Sequence, residues 1–334
     1  MTSAQAAAET ILEPGLPIID PHTHPRDGSY MLRDILADVH TGHNVLATVF
    51  VQITDSTFRV DGPEDFKYVG EVEFADGIAA QCAGGRYGAI RACHGIVGNA
   101  RLMMGAGVAE VLDAMIRVGG GRLRGLRQSL NYHEDASGKV WRNQSKPVKG
   151  QMLDAKFREG FACLAPAGLS WDANIYHTQL PELVELARAF PQTTIIVNHG
   201  CTVLVQDDAN NWPEAFAEWR AGLPDLAACP NVYMKLGGFM QATPVYEFQK
   251  RPGRPSSQDI ATALRPGIEV LIGFFGAERC MFESCFPTEG RYVDYATLWN
   301  GFKRITADYS AEEKRALYTG TAARAYRLDT VIPH

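Results

Sequence analysis

Two histidines separated by one residue follow the first apolar run of the chain. Residues 18–21 lead directly into His22 and His24. Because residues two apart in an extended chain point to the same side, both imidazoles project together from the end of this predicted strand. Two converging neutral imidazoles form half of a divalent metal site, or a pair of groups for proton transfer and hydrogen bonding. The spacing therefore predicts a functional site here.

A further histidine ends another run of apolar, β-branched residues. Residues 194–197 lead into Asn198 and His199, and Gly200 then permits a sharp turn of the chain. If these runs are neighbouring parallel strands, their carboxyl ends meet at one edge of the sheet. We therefore expect His199 to share one site with the first two histidines.

The last apolar run carries a carboxylate and a thiol. Residues 279–282 are followed by Glu283, Ser284 and Cys285, and alternation along a strand places the first and third of these on one face. A buried carboxylate is unfavourable unless it is paired or binds a ligand, which favours a functional role for Glu283. Cys285 is either a small packing residue or a thiol that acts as nucleophile or ligand.

Eight short apolar runs alternate with amphipathic segments along the chain. The predicted strands are 17–20, 45–52, 88–94, 123–128, 168–175, 194–199, 232–236 and 279–284. The predicted helices include 64–82, 108–118, 181–190, 211–221 and 310–325, the last with a Ser-Ala-Glu-Glu start typical of a capping box. This order predicts a single (β/α)8 barrel over residues 1–334, with 1–15 as a flexible N-terminal tail.

Cationic and aromatic residues near predicted strand ends indicate the kind of substrate. Arg91 and Arg127 lie in the third and fourth predicted strands, and Tyr176 and His177 follow the fifth. A guanidinium suits bidentate binding of a carboxylate, and aromatic rings suit a flat or ring-shaped ligand. The long connections after the fourth and seventh strands, 129–150 and 237–259, are predicted to be lids or binding loops. We expect a small, acidic, cyclic substrate.

Composition argues against several classes of protein. The 32 Lys and Arg residues against 38 Asp and Glu give a net charge of -6, which disfavours nucleic-acid or anionic-membrane partners. No apolar run reaches the roughly 18 residues of a membrane-spanning helix, and the first residues do not resemble a secretory signal. Seven cysteines without a C-x-x-C pair predict a reduced, cytoplasmic protein with free thiols.

Four motifs, taken in chain order, resemble the amidohydrolase superfamily. They are Asp-x-His-x-His at 20–24, Asn-His-Gly at 198–200, Phe-Glu-Ser-x-Phe-Pro at 282–287 and Thr-Ala-x-x-x-Tyr-x-Leu at 321–328. The chain is most similar to the TIM-barrel metal-dependent hydrolase branch (amidohydrolase 2), which includes 2-pyrone-4,6-dicarboxylate lactonase and sugar lactonases. The resemblance implies opening of a small lactone of a carboxylated or aromatic compound. Decarboxylation of an aromatic or enol acid, and ligand binding without catalysis, are the alternatives. A homodimer is common among such barrels, but no residues specify its contact.

The chain departs from the metal-using members of this superfamily at two positions. The fourth strand ends Gly-Leu-Arg-Gln-Ser, 125–129, without the Lys or Glu ligand, and Cys285 replaces the Asp of the eighth strand. A two-metal site is therefore not expected. The resemblance also matches Arg127 to an arginine that binds the substrate carboxylate.

Two arrangements of the site remain open. In the first, one Zn²⁺ is held by His22, His24 and His199, with Cys285 as a further ligand. In the second, no metal binds: the histidines polarise the lactone carbonyl, and either Glu283 activates water or Cys285 attacks as a nucleophile.

Overall fold

The computed structural model describes residues 9–52, 56–134, 147–204, 211–239 and 253–328. Eight parallel strands in these residues follow one another around a single sheet in chain order. They are β1 (Pro17–Thr23), β2 (Asn44–Val51), β3 (Arg91–Gly98), β4 (Leu123–Ser129), β5 (Ser170–Asn174), β6 (Ile195–Val197), β7 (Val232–Leu236) and β8 (Cys280–Phe282). Most of these strands are buried on both faces, which explains why they read as nearly continuous apolar runs.

The sheet closes between β1 and the segment that follows β8. The backbone N–H of His24 donates to the carbonyl of Phe286 at 2.7 Å, and that of Cys285 donates to the carbonyl of His22 at 3.0 Å. Thr23 and Phe286 form a parallel bridge. The predicted (β/α)8 barrel is confirmed, and its closure brings the end of the chain's last strand directly beside the His-x-His motif.

Helices follow the strands around the outside of the barrel. Those of the described residues are α1 (Leu32–Val39), α2 (Val69–Ala83), α3 (Val108–Val118), α4 (Ala155–Phe161), α5 (Leu180–Ala189), α6 (Trp212–Ala227), α7 (Ser257–Phe275), α8 (Tyr295–Ile305), α9 (Ala311–Arg315) and α10 (Thr321–Tyr326). The predicted capping box at α9 is present, because Ser310 Oγ accepts from the N–H of Glu313 and the Glu313 carboxylate accepts from the N–H of Ser310. The centres of both predicted loops, 135–146 and 240–252, lie outside the described residues.

A small apolar cluster fills the inside of the barrel and is separate from the larger core between sheet and helices. Strand residues such as Ile19, Val49 and Met281 pack there against α10 and Leu328. Because α10 covers this end, the barrel interior is a packed core, not a channel. The polar side chains therefore gather at the other end, where the strands finish.

The described part of the predicted N-terminal tail is held against the barrel. The N–H of Leu12 donates to Asn300 at 2.9 Å, and Lys303 Nζ donates to the carbonyls of Leu12 (2.8 Å) and Glu13 (2.9 Å). Lys303 Nζ also lies 2.9 Å from Nδ1 of His43. Residues 9–13 are thus anchored, and residues 1–8 lie outside the described part of the chain.

Two further expectations concern the thiols and membranes. All seven cysteines are free, as the sequence predicts. Within the described ranges, we find no helix with the length and apolar character needed to cross a bilayer.

Candidate active site

Glu283, just after β8, lies between two imidazoles. Its Oε1 accepts from Nδ1 of His199 at 2.7 Å, and its Oε2 contacts Nδ1 of His22. A carboxylate at these positions only accepts, so it favours the tautomer with the proton on Nδ1 in both rings. Each ring then presents Nε2 as its basic nitrogen. Glu283 therefore orients two of the three predicted histidines at once.

A left-handed turn after β6 directs His199 toward this carboxylate. His199, Gly200 and Cys201 have φ values of 54°, 62° and 61° in succession. Such values strain residues other than glycine by roughly 1–2 kcal/mol each, so the surroundings must hold them. The N–H of His199 donates to Glu283 Oε1 at 3.3 Å, and Trp219 Nε1 donates to the carbonyl of Gly200 at 2.8 Å.

Two glycines after β7 allow the close approach of these groups. A Cβ at Gly238, where φ is +69°, would overlap the imidazole of His199. A Cβ at Gly237 would overlap the backbone carbonyl of Glu283. These two glycines were not among the predicted site residues, although a Gly-Gly pair directly after an apolar run is a visible sequence signal for a close approach.

Lys235, the fully buried fourth residue of β7, was not among the predicted site residues. Its Nζ lies 2.8 Å from Asp172 Oδ2, 3.8 Å from Glu283 Oε2 and 3.1 Å from His22 Nδ1. Lysine and glutamate thus compete for this nitrogen of His22. Because Arg127 Nη1 only donates and lies 3.3 Å from Nε2 of the same ring, Nε2 is the acceptor and we place the proton on Nδ1. A buried ammonium is costly unless it is paired, and here it faces two carboxylates. A lysine inside the run Val-Tyr-Met-Lys-Leu was the available signal.

Asp172 on β5 collects hydrogen bonds from three elements. Besides Lys235, its Oδ2 accepts from Asn198 Nδ2 at 3.0 Å and from the phenol of Tyr326 at 2.7 Å. Tyr326 belongs to α10, which enters from the closed end of the barrel. The base of the site is therefore a fixed polar network.

His24 and Cys285 form the other side of the cluster. Nδ1 of His24 donates to the carbonyl of Val51 at 2.6 Å, so Nε2 carries the lone pair. This Nε2 lies 3.1 Å from Nε2 of His22 and 3.6 Å from Sγ of Cys285. Two lone pairs at this distance repel each other unless a cation or a proton lies between them.

The donor set at this point suits a divalent metal. Two ligands at about 2.0–2.1 Å from a tetrahedral zinc ion are roughly 3.3 Å apart, and zinc takes both imidazole and thiolate. The ligand atoms of His22, His24 and Cys285 all lie within 4.8 Å of one another. His199 falls in a second such group with His22 and Glu283, not in one with His24.

Burial sets the protonation of this cluster. It lowers the pKa of His22 and of His24 well below the usual range, which favours the neutral form that binds metals. Burial would raise the pKa of Glu283, but the facing His22 and His199 hold it well below its usual range. Burial, with Glu289 and Glu283 nearby, raises the pKa of the Cys285 thiol well above normal. Without a cation Cys285 is therefore a thiol, which disfavours it as an unassisted nucleophile.

Arg127, on β4, lies at the cluster, only 4% exposed. Its Nη1 lies 3.3 Å from Nε2 of His22, whereas its buried Nε has no hydrogen-bond partner among the described residues. A buried guanidinium with an unused donor is suited to an anionic ligand. Arg124, three residues earlier, points away and donates to the carbonyls of Gly121 and Leu123.

The structure does not bring Arg91 or His177 into the cluster. Arg91 begins β3, at the closed end of the barrel, where its guanidinium donates to the carbonyls of Ala89 (2.8 Å) and Ile90 (3.1 Å). His177 Nδ1 accepts from the N–H of Leu204 at 3.0 Å and so braces the segment after β6.

Tyr176, before His177, is buried, and its backbone bridges to Thr202 in that same segment.

The barrel and its polar cluster define the class of protein: an enzyme built at the carboxyl ends of parallel strands. The chain belongs to the amidohydrolase family, whose model, described as Amidohydrolase, matches residues 19–328. It is 30% identical over 213 residues to an L-fucono-1,5-lactonase of Burkholderia multivorans, a match that covers 63% of this chain and 64% of the relative.

Solved structures that share the fold include the following two. An amidohydrolase from Burkholderia multivorans with bound Zn superposes with a TM-score of 0.68 at 23% identity, covering 93% of this chain and 99% of the other. A putative 2-pyrone-4,6-dicarboxylic acid hydrolase from Pseudomonas putida gives a TM-score of 0.60 at 18% identity, covering 94% and 98%.

Proposed function

We propose that this amidohydrolase opens a small cyclic ester that carries a carboxylate. The observation that carries the proposal is the Glu283–His199 pair, a buried carboxylate that orients an imidazole beside an incompletely paired guanidinium. Similarity to a protein named as a lactonase supports the reaction type. In lactone opening, water adds to the carbonyl carbon and the ring C–O bond breaks, which gives one molecule with a new hydroxyl and a new carboxylate and releases one proton.

His199 acts as the general base in this scheme. Glu283 holds the proton on Nδ1, so Nε2 takes a proton from the attacking water and returns it to the departing ring oxygen. Glu283 touches the imidazole, not the substrate, and serves as the orienting carboxylate. The sequence led us to expect that Glu283 activates water directly. In the present proposal Glu283 acts through His199 instead.

Arg127 binds the carboxylate of the substrate. Its guanidinium is buried at the carboxyl end of β4 and retains an unused donor that can bind an anionic oxygen. The ammonium of Lys235 is already engaged by Asp172 at 2.8 Å, so Arg127 is the better placed of these two cations to bind the ligand.

His22, His24 and Cys285 are the residues that would hold a divalent metal. Such an ion would supply Lewis-acid polarisation of the substrate carbonyl. The Zn in the Burkholderia multivorans amidohydrolase supports this reading. The roles of His199, Glu283 and Arg127 do not depend on the ion.

A pH-indicator assay tests the proposal, because each ester opened releases one proton. The panel compares δ-valerolactone with the same ring carrying a carboxylate next to the ring oxygen. We expect the carboxylated ring to be preferred, and His199→Gln to lower kcat/KM by about 10²–10⁴-fold, the usual contribution of a general base. Arg127→Met is expected to remove the preference.

A parallel CO₂ assay with aromatic carboxylic acids addresses decarboxylation. Release of CO₂ without opening of any lactone would overturn the proposal.

A further inference from the structure

A crevice between α6 and α7 opens beside His199. Its empty space, including the part open to solvent, is about 430 Å³. His199 and Gly238 form its inner end, and side chains of the two helices form its walls. The crevice therefore borders His199, the proposed general base.

The walls are aromatic and aliphatic. On α6, the rings of Trp212, Phe216 and Trp219 succeed one another with centroid separations of 5.5 and 5.0 Å. On α7, Leu264, Ile268 and Leu271 face them. No Lys, Arg, Asp or Glu of the described chain lines this space.

The polar atom of Trp219 does not serve a ligand either, since its Nε1 donates to the carbonyl of Gly200 at 2.8 Å. Apart from His199 at the inner end, Thr202 is the polar side chain among the described lining residues, so a charged or hydroxyl-rich group would recover little of its lost hydration in the crevice. The chemistry of the walls therefore selects an apolar group.

Gly267 leaves room in the α7 wall. It stands in the middle of a 19-residue helix, where glycine is unfavourable, and it follows Pro266. A Cβ at Gly267 would meet no atom within 4 Å. A larger side chain there would enter the crevice without displacing a neighbour.

We propose that this crevice binds an aryl or short alkyl group carried on the ring of the substrate ester. The imidazoles of His199 and His22 have centroids 4.9 Å apart, so one small molecule reaches both the crevice and the cluster. The inference rests on the proposed function for the reaction itself and adds the substrate class. Substrates are apolar-substituted lactones, not polyhydroxylated ones.

Matched substitutions on one helix test the inference. Gly267→Leu fills the crevice, whereas Gly273→Leu makes the same change on α7 at a position outside it, where a Cβ also meets no atom within 4 Å. The wild type is expected to prefer phenyl-substituted δ-valerolactone over the unsubstituted ring by about 10–200-fold in kcat/KM. Gly267→Leu should abolish this preference without changing kcat/KM for the unsubstituted ring. Gly273→Leu should change neither the preference nor kcat/KM for the unsubstituted ring.

A binding measurement separates the two proposals. 2-Phenylcyclohexanone, which has no ester bond, should quench the fluorescence of Trp212 and Trp219 in the wild type and in Gly273→Leu, but not in Gly267→Leu. This pattern without turnover of any lactone would support the crevice and refute the reaction. Turnover of lactones with no phenyl preference, and equal quenching in both variants, would overturn the crevice and leave the reaction standing.

Discussion

Nδ1 of His199 lies 2.7 Å from Oε1 of Glu283, and the other oxygen of the same carboxylate contacts Nδ1 of His22. One side chain thereby sets the tautomers of two rings that stand three strands apart around the closed barrel, on β1 and after β6. A glutamine at this position accepts through one atom only and presents an amide donor to the other ring.

Glu283→Gln is therefore expected to lower kcat/KM on the lactone panel by about 10–100-fold, the usual effect of removing an orienting partner. Glu278→Gln, at an exposed glutamate paired with Arg324, is the control and should be unaffected. Unchanged activity of Glu283→Gln would contradict the orienting role.

Metal content checks the role of Cys285. Wild-type protein purified without added metal is expected to contain near-stoichiometric zinc. The variant His24→Ala is expected to contain none, and Cys285→Ser is expected to bind zinc about 10–100-fold more weakly than the wild type. Cys163→Ser, on the outer side of the barrel and partly exposed, should retain wild-type zinc. Equal affinity in Cys285→Ser and wild type would show that the thiol only packs, and zinc-free, fully active protein would favour the metal-free arrangement.

Lys235 is expected to matter for stability as well as for the site. Lys235→Met leaves the buried carboxylates of Asp172 and Glu283 without their cation and should reduce the free energy of unfolding by about 3–5 kcal/mol. Adding Asp172→Asn removes one of these charges and should recover part of the loss. Urea unfolding of both single variants and the double variant measures the coupling, and strictly additive losses would refute it.

The sequence predicted the residues that end strands β1, β6 and β8, because an apolar run followed by His or Glu is visible without coordinates. Lys235 was not predicted, although a lysine within an apolar run is visible in the sequence, since only the closed barrel shows that its side chain points inward. Arg91 was assigned to the substrate because the predicted third strand ended at His94, whereas β3 continues to Gly98. With the strand predicted to end at His94, Arg91 was expected closer to the carboxyl ends of the strands than it lies in the structure.

Tyr326 was seen only as part of a motif. Its contact with Asp172 joins residues 154 positions apart and depends on how α10 docks under the barrel. No local periodicity encodes such a contact. The closure of β1 against residues 285–286, which brings Cys285 to His24, is likewise a property of the whole sheet.

The buried His43, which lies outside the active site, leads us to predict that the protein loses stability in mild acid. Its Nε2 donates to the carbonyl of Ala296 at 3.0 Å and its Nδ1 faces the ammonium of Lys303, so the ring must be neutral. Burial lowers the pKa of His43 to about 4. The folded state then binds fewer protons than the unfolded state between about pH 4 and 6.5. The stabilisation of the folded state by neutral His43 is therefore complete above pH 6.5 and is lost as the pH falls toward 4.

His43→Gln keeps a donor and an acceptor but does not titrate. Between pH 7 and 5 its free energy of unfolding should fall less than that of the wild type, by on the order of 1–2 kcal/mol. His40→Gln, at an exposed histidine, should retain the wild-type dependence. Parallel curves for His43→Gln and wild type would refute the assignment.

The docking of α10 under the barrel has a consequence for biosynthesis. On the ribosome all eight strands emerge before residue 326, so a nascent chain of barrel length still has an uncovered apolar base and an Asp172 without its phenol. Assembly of the catalytic network thus waits for translation to pass the last strand by more than forty residues. A premature stop codon in that interval would yield a nearly full-length product that is both aggregation-prone and inactive.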